Sequence, residues 1–517
     1  MTNSPSRPET PALDIYDNVW DSIHYWVETA PDLPAITQNG ETWSYGRLGR
    51  AVESTAAFLR AQDVGAGDRV LLVMENSVAA VAGMLAAMKL GAWAIPLNAR
   101  LSDREIDEIR KHATPRVTLY TAAISKDAAA QGIRHGATTA PSLEAIGATF
   151  APAEGIVHPE PGFGPMRDRV AALIYTSGTT GAPKGVMLTH GNLLFIAGRS
   201  SQARQMSPAD KVYAVLPISH VFGLASVFLG NMYRGSHLFL VSRFVPAEAA
   251  RALAEEGITA FHGVPAMFSH LAGLAASTGT PLVAPKLRYM SAGGSPLDLT
   301  LKQRIERMLG VALNNGYGLT ESSPTVCMTQ IDDPREDDTV GTLLPGVQVR
   351  IVDHRGNDLS PGAVGEMWVK GGLVMKGYYR DPARTAEVLT PDLWLKTGDF
   401  ARMEADGSLY IVGRLKELII RSGFNVYPAE VEGVITSHPD ISMAVVVGRS
   451  RDGNEEVVAF VQPIPGRTVT EEALAGFVAE RLAPYKRPEQ YLIRDTLPAT
   501  PTGKILRHKL QQEALTL

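Results

Sequence analysis

Cysteine is almost absent: Cys327 is the single one in 517 residues, which excludes an intramolecular disulfide and a cysteine-built metal cluster. Long apolar runs are missing as well. The greasiest region, from Val70 to Leu97, is broken by Glu75, Asn76, Ser77 and Lys89, and it reads as strand, helix and strand, too interrupted for a membrane span. No block of lysine and arginine stands out, and 49 basic against 54 acidic residues leave a net charge of -5. Nucleic acid and anionic membrane are therefore not expected partners. The opening MTNSPSRPETPALD lacks the apolar core of a signal peptide and reads as a disordered polar tail over residues 1–14. With so little cysteine, the expectation is a cytoplasmic chain.

What is present is a soluble-type composition, 45% apolar and 20% charged, in a chain long enough for two to four domains. Short apolar runs such as RVLLVM, AWAIPL, KVYAVLP, SHLFLV and LRYMSAGG alternate with helix-length segments such as LKQRIERML. That alternation predicts an α/β fold with mainly parallel sheets. After about residue 340, VQVRIVD, EMWVKG and LYIVGR are joined by the turns DHRGN and EADGS, which predicts a small antiparallel subdomain. Beyond Arg414 the segments AEVEGVITSH, SMAVVVGR, EEVVAFVQP and EEALAGFVAERL predict a compact α+β unit. A boundary is placed at Gly413 to Lys416, dividing residues 15–413 from 414–517.

The stretch AALIYTSGTTGAPKGVMLTH, residues 171–190, sets a strand ending at Tyr175 against a run dense in glycine and hydroxyls. Backbone N–H groups and the hydroxyls of Thr176, Ser177, Thr179 and Thr180, with the charge of Lys184, suit a bound phosphate. It is not the common nucleotide loop, because Ala182 and Pro183 stand between Gly181 and Lys184.

YTSGTTGAPKG is followed in order by LPISHVFG, SAGGSPL, NNGYGLTE, WLKTGDF, GRLKELIIRSGFNVYPAEVE and PTGK. With these seven segments the chain resembles the acyl-adenylate-forming superfamily, in its acyl-CoA synthetase branch, over essentially its full length. The resemblance implies a large N-terminal AMP-binding domain, a mobile C-terminal domain and two half-reactions. A carboxylic acid and ATP give acyl-AMP and pyrophosphate, and CoA then displaces AMP; transfer to a carrier protein or an amine stays open as the alternative.

It also implies roles for single residues. Thr176, Ser177, Gly178, Thr179, Thr180, Gly181 and Lys184 would hold the β- and γ-phosphates. Tyr317, Gly318 and Thr320 would bind ATP, and Glu321 after them would bind Mg²⁺ with the Thr176 hydroxyl as partner, since that ion takes hard oxygens and few protein contacts. Gly293 and Gly294 would lie flat beside adenine and the acyl chain. Asp399 and Arg414 would hold the ribose, and His220 would border the acyl pocket and the mouth of the pantetheine channel. Lys504 would neutralise the attacking carboxylate and α-phosphate together, with Lys416 as the hinge and Ser422 and Gly423 on the CoA side. The chain departs from the family pattern at Ser219, where an aromatic residue is common, and at Ser422, where many relatives have glycine. Candidate pocket residues Phe222, Leu224, Ala225, Val264, Met267, Gly293 and Pro324 are mainly apolar and point to an aromatic or medium aliphatic acid. Association as a homodimer is left open by the sequence.

Overall fold

The computed structural model describes residues 12–177, 183–421, 424–451, 454–499 and 505–516. Among them the strands form sheets of nine, seven and four strands, followed by sheets of two and three strands beyond Arg414. The seven-stranded sheet has a parallel centre, Val117–Tyr120, Arg69–Met74, Trp93–Asn98 and Val170–Ser177, with antiparallel strands at its edges. In the nine-stranded sheet six neighbouring strands, from Pro34–Gln38 to Leu313–Gly318, run parallel. The four-stranded sheet, Gln348–Val352, Gly365–Lys370, Leu395–Met403 and Leu409–Arg414, is wholly antiparallel. Mixed α/β architecture with a separate antiparallel unit is the fold that the alternation of patterns predicts.

The region from Val70 to Leu97 becomes a strand, the helix Val78–Lys89 and a second strand. Every residue of that helix except Lys89 is buried, because it packs against two further helices, Val19–Thr29 and Tyr45–Ala61, as well as its own sheet. An all-round apolar helix needs such complete enclosure. Ser77 starts it by accepting from the Ala80 N–H. Just before this cap, Asn76 joins the two large sheets: its side chain donates to the carbonyls of Leu216 and Val241 and accepts from the Ile218 N–H. No described helix is long and apolar enough to cross a membrane.

Two local expectations change. The expected tail does not extend to residue 14, since Asp14 makes a two-pronged ion pair with Arg199 and Leu13 packs on the core. The strand expected to end at Tyr175 continues to Ser177 and turns back as the antiparallel strand Pro183–Thr189. The phosphate-loop candidate therefore connects a hairpin. The lysine-bearing segment reads poorly as a strand because proline and glycine begin it, and only pairing on both sides makes it one.

His190 opens the helix His190–Ala203, is fully buried, and accepts the Val19 N–H on Nδ1 at 3.2 Å. Burial pushes its pKa down from 6.5 to about 3, with Arg169 adding to the effect. The unfolded chain therefore takes up a proton below pH 6.5 that the folded chain refuses, so this contribution destabilises the protein as pH falls. Denaturant titrations should show His190→Asn losing about 2 kcal/mol of the drop in stability between pH 7 and pH 5, at about 1.4 kcal/mol per pH unit. An unchanged drop would mean that His190 is not held neutral.

Candidate active site

The hairpin places Thr176 opposite Lys184. Lys184 Nζ reaches across to the connection between strands Leu313–Gly318 and Thr325–Met328, donating to Glu321 Oε1 at 2.9 Å. It also donates to the Tyr378 hydroxyl at 2.9 Å, and that hydroxyl donates to the same Glu321 oxygen at 2.8 Å. The ammonium lies 4.3 Å from the centre of the Tyr378 ring, within cation–π range. Burial, reinforced by the neighbouring Glu321 carboxylate, holds the Tyr378 hydroxyl protonated far above its usual range. Tyr378 was not a candidate on sequence grounds. GYYRDPART has no charge pattern or glycine loop that marks chemistry, and only the pairing of Gly377–Tyr378 with Val186 and Met187 brings it to the lysine.

The turn carrying Glu321 is locked from several sides. Ser322 Oγ accepts the Leu319 N–H and donates to the Pro324 carbonyl, and Ser323 Oγ donates to the Leu373 carbonyl. The Met375 N–H donates to the Glu321 carbonyl. Thr320 is buried in the short 3-10 turn Thr320–Ser322. Gly318 is required sterically: a Cβ there would stand 1.6 Å from the Pro324 carbonyl oxygen.

Tyr317, one residue earlier, points to the second cluster. Its hydroxyl donates to Asp399, whose other oxygen meets Arg414 Nε at 3.1 Å. Asp399 and Arg414 are register partners on adjacent antiparallel strands. Asp399 is 4% exposed, and burial raises its pKa although Arg414 and Tyr317 pull the other way. The carboxylate sits beneath an Arg414 side chain that stays half exposed. A partly open arginine over a buried acid can hold a polar group that carries hydroxyls or phosphate.

The apolar candidates divide. A Cβ on Gly293 would stand 3.1 Å from the Phe222 ring, and one on Gly294 would stand 3.7 Å from Val264, so these four residues form one wall. Val264, Met267 and Phe222 are partly buried against the core. Leu224 and Ala225 are fully buried, like the rest of the π-helical segment Phe222–Leu229 after Phe222. Pro324 is also buried, behind Gly318. His220 stands exposed before this segment, its Nδ1 accepting the Phe222 N–H at 3.3 Å. Lys416 is exposed in the turn Leu415–Glu417, directly after Arg414. The predicted positions Gly178, Thr179, Thr180, Gly181, Ser422, Gly423 and Lys504, and the Ser177 side chain, lie outside the described residues.

The hairpin bearing Thr176 and Lys184, the Glu321 turn beside it and the Asp399–Arg414 pair on one α/β frame suit a nucleotide-binding enzyme. The AMP-binding enzyme family model matches residues 23–379, and the AMP-binding enzyme C-terminal domain model matches residues 430–504. The chain belongs to the AMP-binding enzyme family. It is 33% identical over 488 residues to a feruloyl-CoA synthase of an Amycolatopsis species, covering 93% of this chain and 96% of that protein. It is 32% identical over 495 residues to 4-coumarate–CoA ligase 3 of Oryza sativa subsp. japonica, covering 92% and 88%. The solved O-succinylbenzoate CoA synthetase of Bacillus subtilis, in complex with ATP and magnesium ion, superposes with a TM-score of 0.80 at 28% identity, covering 96% and 99%.

The Gly318 contact gives a direct test. Backbone cannot yield as a side-chain tip can, so Gly318→Ala should cost about 3 kcal/mol or more of stability. Gly433→Ala, in the helix Pro428–Thr436 where a Cβ meets nothing within 4 Å, should be neutral or stabilising by up to about 1 kcal/mol. Thermal unfolding of the two variants side by side checks the contrast; equal melting points would refute it.

Proposed function

We propose that this AMP-forming acid–CoA ligase activates an aromatic carboxylic acid with ATP and passes the acyl group to CoA. One observation carries the site assignment: Lys184 and Glu321, 137 residues apart in sequence, meet at 2.9 Å beside the phosphate-loop hairpin. Phe222 and Val264 beside the side-chain-free Gly293 and Gly294 make an apolar wall, which suits a ring. The two relatives described are named for feruloyl and 4-coumarate CoA chemistry, which supports the same acid class.

In this reading the loop from Thr176 to Lys184 cradles the β- and γ-phosphates, and Asp399 with Arg414 fixes the ribose. Their task is orientation, bringing the α-phosphorus in line with a carboxylate resting on the Gly293 wall. Glu321 and Thr176 fit Mg²⁺. Among the described residues no group of three or more His, Cys, Asp or Glu could hold a metal alone, and this ion is commonly bound by one or two protein oxygens plus phosphate and water. When bound, Mg²⁺ would neutralise charge on the phosphates. His220 guards the open side of the acyl wall, and Ser422 and Gly423 admit the pantetheine arm. We place the division at 15–413 and 414–517, with the exposed Lys416 turn as the swivel that exchanges Lys504 for the Gly423 face.

Lys504→Ala separates the half-reactions. Pyrophosphate release from acid and ATP should fall about a hundred- to a thousandfold, the usual loss for one stabiliser of developing charge. Conversion of supplied acyl-AMP and CoA to thioester should survive. Equal loss in both assays would sink the role of Lys504. Aromatic acids should outrun dicarboxylates in a panel scored by pyrophosphate release. Product formation with a carrier protein or amine, and none with CoA, would overturn the acceptor.

A further inference from the structure

Glu321 offers its two carboxylate oxygens very unequally. Oε1 accepts from both Lys184 Nζ and the Tyr378 hydroxyl, at 2.9 and 2.8 Å, whereas Oε2 carries no bond among the described residues. The terminal torsion of a glutamate is soft, so a carboxylate held by one donor still swings. Two donors converging on one oxygen set its plane and leave the other oxygen with a fixed direction.

The tyrosine that supplies one of those donors is itself rigid. Tyr378 is 4% exposed, its strand pairs with Val186 and Met187, and its N–H donates to Thr385 Oγ1 at 2.9 Å. Three residues earlier, the Met375 N–H holds the Glu321 carbonyl at 2.9 Å. One short segment thus grips both the backbone and the side chain of Glu321. The hydroxyl has one proton and gives it to Glu321, while its lone pair accepts from Lys184, so the three contacts are mutually compatible.

We propose that Tyr378 is a positioning residue for the divalent cation: it clamps Glu321 through Oε1 and so presents Oε2 to the metal. The proposal rests on the reading of Glu321 as a metal ligand. Residues that orient a ligand in this way commonly change metal affinity ten- to a hundredfold when they lose their hydrogen bond. The ring of Tyr378 fills the same space in Tyr378→Phe, so that variant removes the hydroxyl's bonds to Glu321 and Lys184 and keeps the packing.

The test uses Mn²⁺, whose free signal is read by electron paramagnetic resonance, with the full chain and a non-hydrolysable α,β-methylene ATP analogue. Tyr378→Phe should weaken Mn²⁺ binding about ten- to a hundredfold, with AMP affinity and melting temperature close to wild type. Glu321→Gln should weaken it at least as much. If Glu321→Gln weakens the metal and Tyr378→Phe stays within about twofold of wild type, Tyr378 is only packing and the proposal falls. Tighter Mn²⁺ in Tyr378→Phe would overturn it by showing that the hydroxyl competes with the metal. No effect of Glu321→Gln would overturn the ligand reading beneath it.

Discussion

The site depends on one partly buried ion pair, Lys184 with Glu321. Lys184 belongs to the seven-stranded sheet and Glu321 to a connection in the nine-stranded sheet, so the pair ties the two large layers together. Their side chains are 21% and 13% exposed. A pair so placed loses hydration that its Coulomb attraction barely restores, and its net contribution to stability is small. Its value is geometric. With the Tyr378 hydroxyl closing the triangle, a flexible lysine and a flexible glutamate acquire one mutual arrangement, and the turn Thr320–Ser322 is held against the hairpin.

From that turn the rest of the site follows along covalent structure. Tyr317 lies one residue before the glycine that the turn requires, and its hydroxyl reaches Asp399. Asp399 pairs in register with Arg414, and Arg414 runs directly into the exposed turn that leads to the last hundred residues. Those residues touch the earlier part at few described points, among them Thr436 with Asp298 and Tyr427 with Phe400. The Lys184 hairpin, the Glu321 turn, the Asp399–Arg414 pair and the chain crossover are thus one connected series.

Local chemistry explains which parts were legible. The helix Val78–Lys89 and its flanking strands announce themselves through apolar runs interrupted by a serine cap, and the antiparallel unit through the turns DHRGN and EADGS between its strands. The family was legible because glycine, threonine and lysine at close spacing have few other uses. The strand Pro183–Thr189 was not, since its proline and glycines argue against a strand until neighbours on both sides supply hydrogen bonds. Leu224 and Ala225 show a related limit. Apolar residues in a short segment look alike, and only the packed structure shows Phe222 partly open and the two that follow Gly223 fully enclosed.

The sequence by itself determined the family, the order of the motifs and the identities of the charged residues. These depend on side-chain chemistry and close spacing, which survive in one dimension. Tertiary structure decided the pairings: Lys184 with Glu321 and Tyr378, Tyr317 with Asp399, Asn76 across two sheets. Each joins residues brought together by strand register, and register is a property of the assembled sheets. Tyr378 is the clearest case, because a tyrosine in a plain strand carries no mark of its neighbours until the strand beside it is known.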